Sequence, residues 1–337
     1  MQNRAAVMPE LGRIEIQDVS YPEVTGRNVI VRIEAVGVCG SDVTYFRVGR
    51  IGDWVVQGPI ILGHEVSGQV HEIGPDVTQV KVGDRVAIEP GTPCRDCRDC
   101  MAGRYHLCPD LEFLATPPYD GALVQYLAID ERNLFAMPDS MTFEEGAMCE
   151  PLSVGIWACE RANLHPGDDV LVTGAGPVGI FAAQTARALG AGSVTITDVT
   201  PFRLAMAERM GFETEHGQRP GNRRFDVLLE CSGALGVLAQ GLARLRTNGR
   251  AAMVGMPKQP VELPLSNLNV NELTIGLVNR YAHTWPTAIA LISSGRVDAA
   301  SIVTHHFGLD EAEAGITLLE RDPESMKAII HPQEAAR

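Results

Sequence analysis

Four cysteines within one short polar segment are the most informative chemical feature of the sequence. Cys94, Cys97, Cys100 and Cys108 follow the spacing C-x2-C-x2-C-x7-C among proline, glycine, arginine and aspartate residues. Four thiolates on one loop supply the closed tetrahedral shell of a structural zinc ion, with no position left for water. The alternative is disulfide pairing, which needs an oxidising compartment that nothing in the sequence indicates. We therefore predict a structural zinc site here.

A second set of metal-ligand residue types is scattered along the first 150 residues. Cys39 stands in the segment VGVCGSD, His64 and Glu65 are adjacent, and Glu150 follows much later. Each has an ordinary explanation, as a small buried cysteine, a hydrogen-bonded core histidine or a carboxylate at a helix start. Glycines beside Cys39 and His64 favour tight turns that would aim these side chains into one cleft. The pattern makes a second metal site a hypothesis to be tested against the fold.

A glycine-rich turn predicts a dinucleotide site. Gly174, Gly176 and Gly179 form G-x-G-x-x-G between an apolar strand and a helix, and Asp198 ends the next strand. The first glycine makes the turn, the second lets the backbone approach a pyrophosphate, and the third permits close packing of helix and strand. A carboxylate at Asp198 would accept hydrogen bonds from both ribose hydroxyls and repel a 2′-phosphate, which favours NAD over NADP. The alternative is a purely structural turn followed by a solvated aspartate.

Composition narrows the class of protein. The chain has 337 residues, with 28 Lys and Arg against 42 Asp and Glu, so its formal net charge is −14. Such a charge argues against a nucleic-acid partner. The N-terminus lacks an apolar stretch behind a basic one, and the longest uncharged run, Val170–Ala186, is too short to span a membrane. We expect a cytoplasmic protein that binds a small molecule and keeps its cysteines reduced.

The apolar patterns change near residue 150. Before it, short strand-like runs such as Val29–Val36, Arg85–Ile88 and Ala122–Ile129 are separated by glycine and proline, which predicts an irregular β-rich domain. From Val170–Thr173 onward, strands alternate with helical stretches such as Val178–Leu189. This alternation predicts a doubly wound parallel sheet. No linker or internal repeat separates the two regions.

Several longer segments carry a family resemblance, namely VGVCGSDVTYF, GHEVSGQV, VGDRVAIEPG, ATPPYDGAL, TFEEGAMCEPLSVGIWAC, GAGPVG and NRYAHTWP. Through them nearly the whole chain resembles the zinc-dependent medium-chain dehydrogenase/reductases. EPLSVG and RYxxTWP point within that family to the sorbitol (polyol) dehydrogenases. The resemblance implies an α/β protein with a GroES-like β-rich catalytic domain, residues 1–150 and 281–337. It also implies a Rossmann NAD-binding domain, residues 151–280.

The resemblance also implies roles for individual residues. Cys39, His64 and Glu65 would bind a catalytic zinc ion, and Glu150 would be its fourth ligand or hold a water on it. Proton transfer and substrate contacts would come from Ser41, Tyr45, Glu150, Arg280 and Tyr281. Cofactor contacts would come from Gly174, Gly176, Pro177, Val178, Gly179, Asp198, Arg203, Val254, Gly255, Val278 and Arg280. With the cysteine loop, two zinc ions per chain are expected.

Two departures from the family pattern bear on these expectations. Cys149 stands beside Glu150 and could offer zinc a competing thiolate. In an extended strand, adjacent side chains point in opposite directions, so we favour Glu150. The stretch 211–224 is also short for a family that fits a strand and a helix there. We therefore expect the nucleotide domain to be trimmed at 211–224.

The implied reaction is reversible oxidation of a secondary alcohol of a polyol, such as sorbitol or xylitol, to a ketose, with hydride transfer to NAD+. The same scaffold could instead act on an amino alcohol such as threonine or on a sugar. A protein that binds NAD and zinc without turnover is the alternative from a different functional class.

The sequence also predicts self-association. Leu273–Val278 is an apolar strand expected at an edge of the nucleotide sheet, where it could pair with its copy in a second subunit. The resemblance implies the same dimer and its pairing into tetramers. Alternatively, the helix predicted for Trp285–Ser294 covers this edge and prevents the pairing.

Overall fold

The structure is a computed structural model that describes residues 2–334. It divides into two compact units. The first consists of Met1–Glu150, Trp285–Ser293 and Ala299–Arg337, and the second of Pro151–Thr284 and Ser294–Asp298. The chain returns to the first unit at Trp285, whereas the sequence placed this boundary at 281. None of the helices described for residues 2–334 combines the length and apolar character that a membrane span requires.

The strands are short in the first half of the chain and form a regular series later. The first group comprises β1 (Asn3–Glu10), β2 (Arg13–Val19), β3 (Asn28–Gly37), β4 (Arg50–Ile51), β5 (Trp54–Val55), β6 (Ile60–Ile61), β7 (Glu65–Ile73), β8 (Arg85–Ile88), β9 (Gly91–Thr92), β10 (Glu112–Phe113), β11 (Tyr126–Asp130) and β12 (Leu134–Ala136). The second comprises β13 (Asp169–Thr173), β14 (Ser193–Asp198), β15 (Glu213–His216), β16 (Phe225–Glu230), β17 (Leu245–Met253), β18 (Thr274–Leu277), β19 (Val303–Gly308) and β20 (Lys327–His331).

Helices are sparse before residue 140 and alternate with strands after it. They are α1 (Gly40–Val48), α2 (Arg98–Met101), α3 (Phe143–Ala147), α4 (Cys149–Arg161), α5 (Pro177–Ala188), α6 (Pro201–Arg209), α7 (Val237–Leu242), α8 (Leu265–Val270), α9 (Trp285–Ser293), α10 (Ala312–Ile316) and α11 (Leu318–Arg321).

A mixed sheet with the strand order β12-β8-β7-β3-β20-β19 forms the centre of the first unit, and β11 also pairs with β3. The apolar run of β3 explains its central place, because Val29, Val31 and Ile33 are fully buried. The C-terminal strand β20 pairs antiparallel with β3, with Ile330 opposite Val36. Residues from both ends of the sequence therefore meet in one sheet.

The second unit contains a six-stranded sheet in the order β15-β14-β13-β16-β17-β18. Every neighbouring pair in it is parallel, so the predicted doubly wound parallel sheet is confirmed. Strand β13 lies between β14 and β16, and the order of strands reverses there. In such sheets ligands bind outside the carboxyl ends of the strands at this reversal.

The crossover from β15 to β16 contains no helix within residues 217–224. The sequence predicted trimming at 211–224, but the strand expected in that stretch is present as β15, and the helix alone is absent. Paired arginines hold this end of the sheet. Arg244 donates two hydrogen bonds to Glu215, at 2.7 and 3.0 Å, and its guanidinium lies over the Phe225 ring. Arg223 lies over the same ring and pairs with Glu213 at 2.7 Å.

Candidate functional site

Three potential metal ligands converge in the first unit. Cys39 immediately precedes helix α1, while His64 immediately precedes strand β7 and Glu65 is its first residue. Strands β3 and β7 pair antiparallel with Gly37 opposite Glu65, which brings the two segments together. One ligand atom from each of Cys39, His64 and Glu65 lies within 4.8 Å of the other two. A thiolate, an imidazole and a carboxylate at this separation form a ligand set that suits zinc.

Gly37 is required at its position by the carboxylate of Glu65. A side-chain Cβ at Gly37 would lie 2.1 Å from Oε2 of Glu65, so any larger residue at this position would displace the Glu65 carboxylate. Gly63 adopts the left-handed φ of +92°, which favours glycine and directs the chain from the preceding loop into β7. Gly63 therefore fulfils the turn role that the sequence suggested, whereas Gly40, beside Cys39, does not have a positive φ.

The buried carboxylate of Asp42 fixes the orientation of this cluster. It accepts hydrogen bonds from the backbone N–H of Cys39 at 2.9 Å and of Gly63 at 3.0 Å. Its Oδ1 also lies 3.5 Å from Nδ1 of His64, which leaves the other ring nitrogen for a metal. Carboxylates commonly orient a ligating histidine in this way.

Charges around His64 favour a cation at this point. Burial would lower the pKa of His64, but the charges of Asp42 and Cys39 raise it well above its ordinary value. Burial would likewise raise the pKa of Asp42, yet His64 and the two backbone N–H donors lower it. A proton or a metal ion can supply the positive charge. The donor set and its surroundings therefore fit a zinc ion.

Lys327 forms a buried ion pair that could not be expected from the sequence motifs. Its Nζ donates to both oxygens of Glu65, at 2.7 and 2.8 Å, and to the backbone oxygen of Val38 at 3.0 Å. Burial would lower the pKa of Lys327, but the charge of Glu65 raises it. The carboxylate predicted to bind zinc therefore already has a cationic partner, contributed by the C-terminal strand β20.

Glu150 is buried in the first turn of α4 but does not belong to the three-residue cluster of Cys39, His64 and Glu65. Our reason for preferring it over Cys149 was wrong, because both residues are helical and not in a strand. Cys149 is nevertheless a poor competitor. Its Sγ faces the backbone oxygen of Glu145 at 3.7 Å, and burial raises the pKa of the thiol.

A further buried carboxylate, Glu89, was missed from the sequence. Burial, with a smaller contribution from the charge of Glu150, raises the pKa of Glu89 to about 7, although the hydroxyl of Tyr105 donates to it at 2.9 Å. A carboxyl group of this pKa can exchange protons near neutral pH. In the sequence, Glu89 was recognisable only as a single glutamate that directly follows the apolar strand β8.

The remaining predicted substrate residues occur on both units. Ser41 and Tyr45 lie one turn apart on α1 and so share a helix face, with Tyr45 buried. Arg280 and Tyr281 follow β18 in the second unit. Arg280 has a left-handed φ of +56°, and Tyr281 is buried.

The four-cysteine loop has the sulfur spacing of a tetrahedral site. Sγ–Sγ distances are 3.9 Å between Cys94 and Cys100, 3.9 Å between Cys97 and Cys108, and 3.5 Å between Cys94 and Cys108. Four sulfurs around one zinc ion stand about 3.8 Å apart, against about 2.05 Å in a disulfide. The N–H of Cys100 also lowers the pKa of the Cys97 thiol to about 7. The loop fits a closed zinc site.

The predicted nucleotide turn follows β13 at the carboxyl edge of the parallel sheet. Gly174 has a φ of +91°, and Gly176 precedes helix α5, which begins with Pro177 and Val178. A Cβ at Gly179 would lie 1.8 Å from the backbone oxygen of Gly174. These positions match the roles assigned to the three glycines in dinucleotide binding.

Asp198 and Arg203 flank this turn. The Asp198 carboxylate accepts hydrogen bonds from the N–H groups of Ala175 at 2.7 Å and Thr200 at 2.8 Å, and it lines a cavity of about 370 Å³. Arg203 approaches Gly176, and its buried Nε has no hydrogen-bond partner among the described residues. A glycine turn, an anchored carboxylate and an unpartnered guanidinium nitrogen together fit a dinucleotide.

The other predicted cofactor residues lie at the same edge of this sheet. Val254 and Gly255 follow β17, and their N–H groups donate to the backbone oxygen of Glu230 at 2.8 and 3.0 Å. Val278 follows β18 and donates to the backbone oxygen of Met253 at 3.0 Å. All three therefore stand beyond the carboxyl ends of parallel strands, where such sheets bind ligands.

Comparison with known protein families identifies related domains in both halves of the chain. An alcohol dehydrogenase GroES-like domain matches residues 25–139, and a zinc-binding dehydrogenase domain matches residues 177–294. The chain is 41% identical to sorbitol dehydrogenase of Bacillus subtilis (strain 168), over 98% of this chain and 97% of that protein. It is 40% identical to sorbitol dehydrogenase of Rattus norvegicus, over 92% of this chain and 91% of that protein.

Solved structures show the same likeness. An oxidoreductase/dehydrogenase of unknown specificity from Escherichia coli superposes with a TM-score of 0.93 at 34% identity, over 98% of this chain and 99% of that chain. 2R,3R-butanediol dehydrogenase from Bacillus subtilis superposes with a TM-score of 0.90 at 26% identity, over 98% and 100%.

Replacing Lys327 tests whether Glu65 faces a metal ion. In metal-stripped protein, we expect Lys327→Met to lower the free energy of unfolding by about 3 kcal/mol, because it leaves a buried carboxylate unpaired. In zinc-loaded protein the loss should be much smaller, because the metal would balance the same charge. Urea unfolding of both forms measures this, with Lys81→Met, an exposed lysine paired with Asp84, as the control. Equal losses with and without zinc would contradict the assignment.

Proposed function

The chain belongs to the zinc-binding medium-chain dehydrogenases, and from this premise we propose that it oxidises a secondary alcohol of a polyol to a ketose with NAD+. The resemblance found in the sequence motifs is confirmed, as is the combination of a GroES-like domain with a Rossmann domain. In this reaction the substrate carbon loses a hydride to the cofactor, and its hydroxyl loses a proton. The sorbitol dehydrogenases among the relatives support a sugar alcohol as substrate.

The juxtaposition of Cys39, His64 and Glu65 is the observation that carries this proposal. A ligand set with a single thiolate makes a harder, more Lewis-acidic site than one with two thiolates, and this suits an alcohol oxygen. When bound, zinc supplies Lewis acidity toward the substrate hydroxyl, and NAD+ accepts the hydride. Asp42 keeps the imidazole of His64 oriented toward the metal position. We propose that each chain holds this catalytic zinc and a structural zinc in the cysteine loop.

The protein's own groups would receive the proton and recognise the polyol. We propose Glu150 and Ser41 as the first groups in the proton path, with Tyr45 on the same helix face as Ser41. Glu89, with a pKa of about 7, is a further acceptor whose charge is coupled to that of Glu150. Tyr45, Glu150, Arg280 and Tyr281 would bind the other hydroxyl groups of the substrate. Polar groups of this kind disfavour simple alcohols, which would leave them unpaired.

Recognition of NAD would rest on the glycine turn with Pro177 and Val178, on Asp198 and Arg203, and on the backbone around Val254, Gly255, Val278 and Arg280. The helix α5 N-terminus offers free N–H groups to the pyrophosphate. The thiols of both metal sites must stay reduced, so we propose a reducing compartment such as the cytoplasm.

A substrate panel tests the function. With NAD+ and zinc-loaded protein, we expect NADH formation from four- to six-carbon polyols at rates well above those from ethanol, threonine or aldose sugars. Turnover of threonine or of a sugar in preference to polyols would indicate that the protein is a threonine or sugar dehydrogenase. Absence of NADH with every compound would indicate a non-catalytic binding protein.

Removing the labile catalytic zinc with a chelator should abolish activity before the protein unfolds. The reason is that the cysteine loop is a closed site, whereas the catalytic site needs an open position.

Cofactor choice is tested at Asp198. Its carboxylate should weaken NADP+ binding by about 2 kcal/mol relative to NAD+, because the charge would lie close to the 2′-phosphate in a partly desolvated cleft. Asp198→Asn should reduce the ratio of kcat/KM with NAD+ to kcat/KM with NADP+, because the negative charge is lost. The amide oxygen of asparagine can still accept a hydrogen bond from a backbone N–H. Glu208→Ala, an exposed acidic residue on helix α6, serves as the control. Equal use of both cofactors by the unmodified protein would refute the assignment.

Self-association through β18 is proposed from its place at the edge of the parallel sheet. Leu277 in this strand is 69% exposed, and pairing with a second copy would cover it. We propose a dimer through this edge and its further association into a tetramer. In analytical ultracentrifugation at micromolar concentration, Leu277→Lys should give an assembly of lower mass than the unmodified protein, whereas Leu189→Lys, directly after helix α5, should not. A monomeric unmodified protein would rule the interface out.

A further inference from the structure

A third group of metal-ligand side chains occurs in the first unit and shares no residue with the two sites above. It consists of Glu144 on α3, His306 on β19 and His331 at the end of β20, and one ligand atom from each lies within 4.8 Å of the others. These residues come from three segments far apart in sequence. Neither the sequence motifs nor the proposed reaction gives the group a role.

The two imidazoles converge on a single carboxylate oxygen. Oε1 of Glu144 lies 2.9 Å from Nδ1 of His306 and 3.0 Å from Nε2 of His331. The two rings stack with an interplanar angle of 17° and centroids 6.0 Å apart. Two ligand atoms at right angles on one transition metal, each about 2.1 Å from it, would themselves stand about 3.0 Å apart. The two oxygen–nitrogen distances agree with this value, and the two ring nitrogens lie within 4.8 Å of each other, so one ion can contact all three groups.

Hydrogen bonding fixes the state of His331. Its Nδ1 lies 2.9 Å from the backbone oxygen of Glu34, which can only accept, so this nitrogen carries a hydrogen. In the neutral imidazole, Nε2 then presents a lone pair to the carboxylate of Glu144. Two acceptors facing each other require a positive charge, which either a second proton or a metal ion provides. A backbone carbonyl that orients a histidine in this way is typical of metal sites.

We propose that Glu144, His306 and His331 bind a divalent first-row transition cation. Two imidazoles and one carboxylate form a ligand set that suits zinc, nickel, cobalt or copper and leaves positions for water. Solvent can reach the ion, because the side chains of Glu144 and His306 are 29% and 40% exposed. Bound metal would tie the C-terminal strands β19 and β20 to helix α3, and so stabilise the unit that holds the candidate catalytic cluster.

The test uses protein that holds two zinc ions per chain, with more weakly held zinc removed by gel filtration, and Ni2+ as the added probe. Isothermal titration should show one Ni2+ bound per chain without release of zinc, which a chromogenic chelator monitors separately. The same addition should raise the melting temperature. His306→Asn and Glu144→Gln should each weaken this binding by about tenfold or more and abolish the thermal shift.

His305→Asn is the matched control. His305 is adjacent to His306 on β19, but its ring faces Asp322 at 3.2 Å and Thr304 at 3.0 Å. This variant should bind Ni2+ as the unmodified protein does. Failure of the unmodified protein to bind additional Ni2+, or equal binding by His306→Asn and Glu144→Gln, would overturn the proposal. Because the readout is metal uptake, its outcome is independent of whether polyols are substrates.

Discussion

The buried carboxylate of Asp42 is the interaction on which the candidate active site depends. It accepts N–H groups from the turn that carries Cys39 and from the turn that precedes His64, and it faces the ring of His64. Hydrogen bonds to a charged group contribute about 1.5–3 kcal/mol each, and a buried charge without them is costly. Separating these two turns would therefore cost the free energy of these hydrogen bonds and leave the buried charge without them. Hydrogen bonds within the protein therefore hold the candidate ligands in place before a metal ion binds.

Elements whose signals are local could be predicted from the sequence. The apolar run before Gly174 and the spacing of the three glycines specify a strand, a turn and a helix within about a dozen neighbouring residues. The cysteine loop is equally local, since all four sulfurs come from one segment of fifteen residues. The strand at Arg85–Ile88 was predicted with its observed bounds. In these cases the backbone conformation follows from neighbours in the chain.

Features that depend on distant partners could not be predicted. Ala122–Ile129 was expected to be one strand, but its first residues donate to the backbone oxygens of Gly63 and Leu62 instead of joining the sheet. Cys149 and Glu150 were assigned to a strand, although the helix α4 begins there. Lys327 lies 262 residues from Glu65, so no spacing rule could pair them. The meeting of β20 with β3 creates this ion pair, and topology alone reveals it.

The missing crossover helix shows why a nucleotide unit can lose an element and keep its candidate site. The groups that would contact phosphate and ribose belong to the β13 turn, the start of α5 and the end of β14, all of which are intact. A crossover helix covers the face of a sheet, whereas the ligand is held at its edge. The shortened loop still reaches this edge, because Gly217 and Gln218 line the cavity beside Asp198.

Arg244, which also lines that cavity, is held by Glu215 on β15 and packs over Phe225. The ion pair thus connects the edge strand β15 to the pocket wall, and β15 pairs with β14 in parallel although the crossover helix is absent.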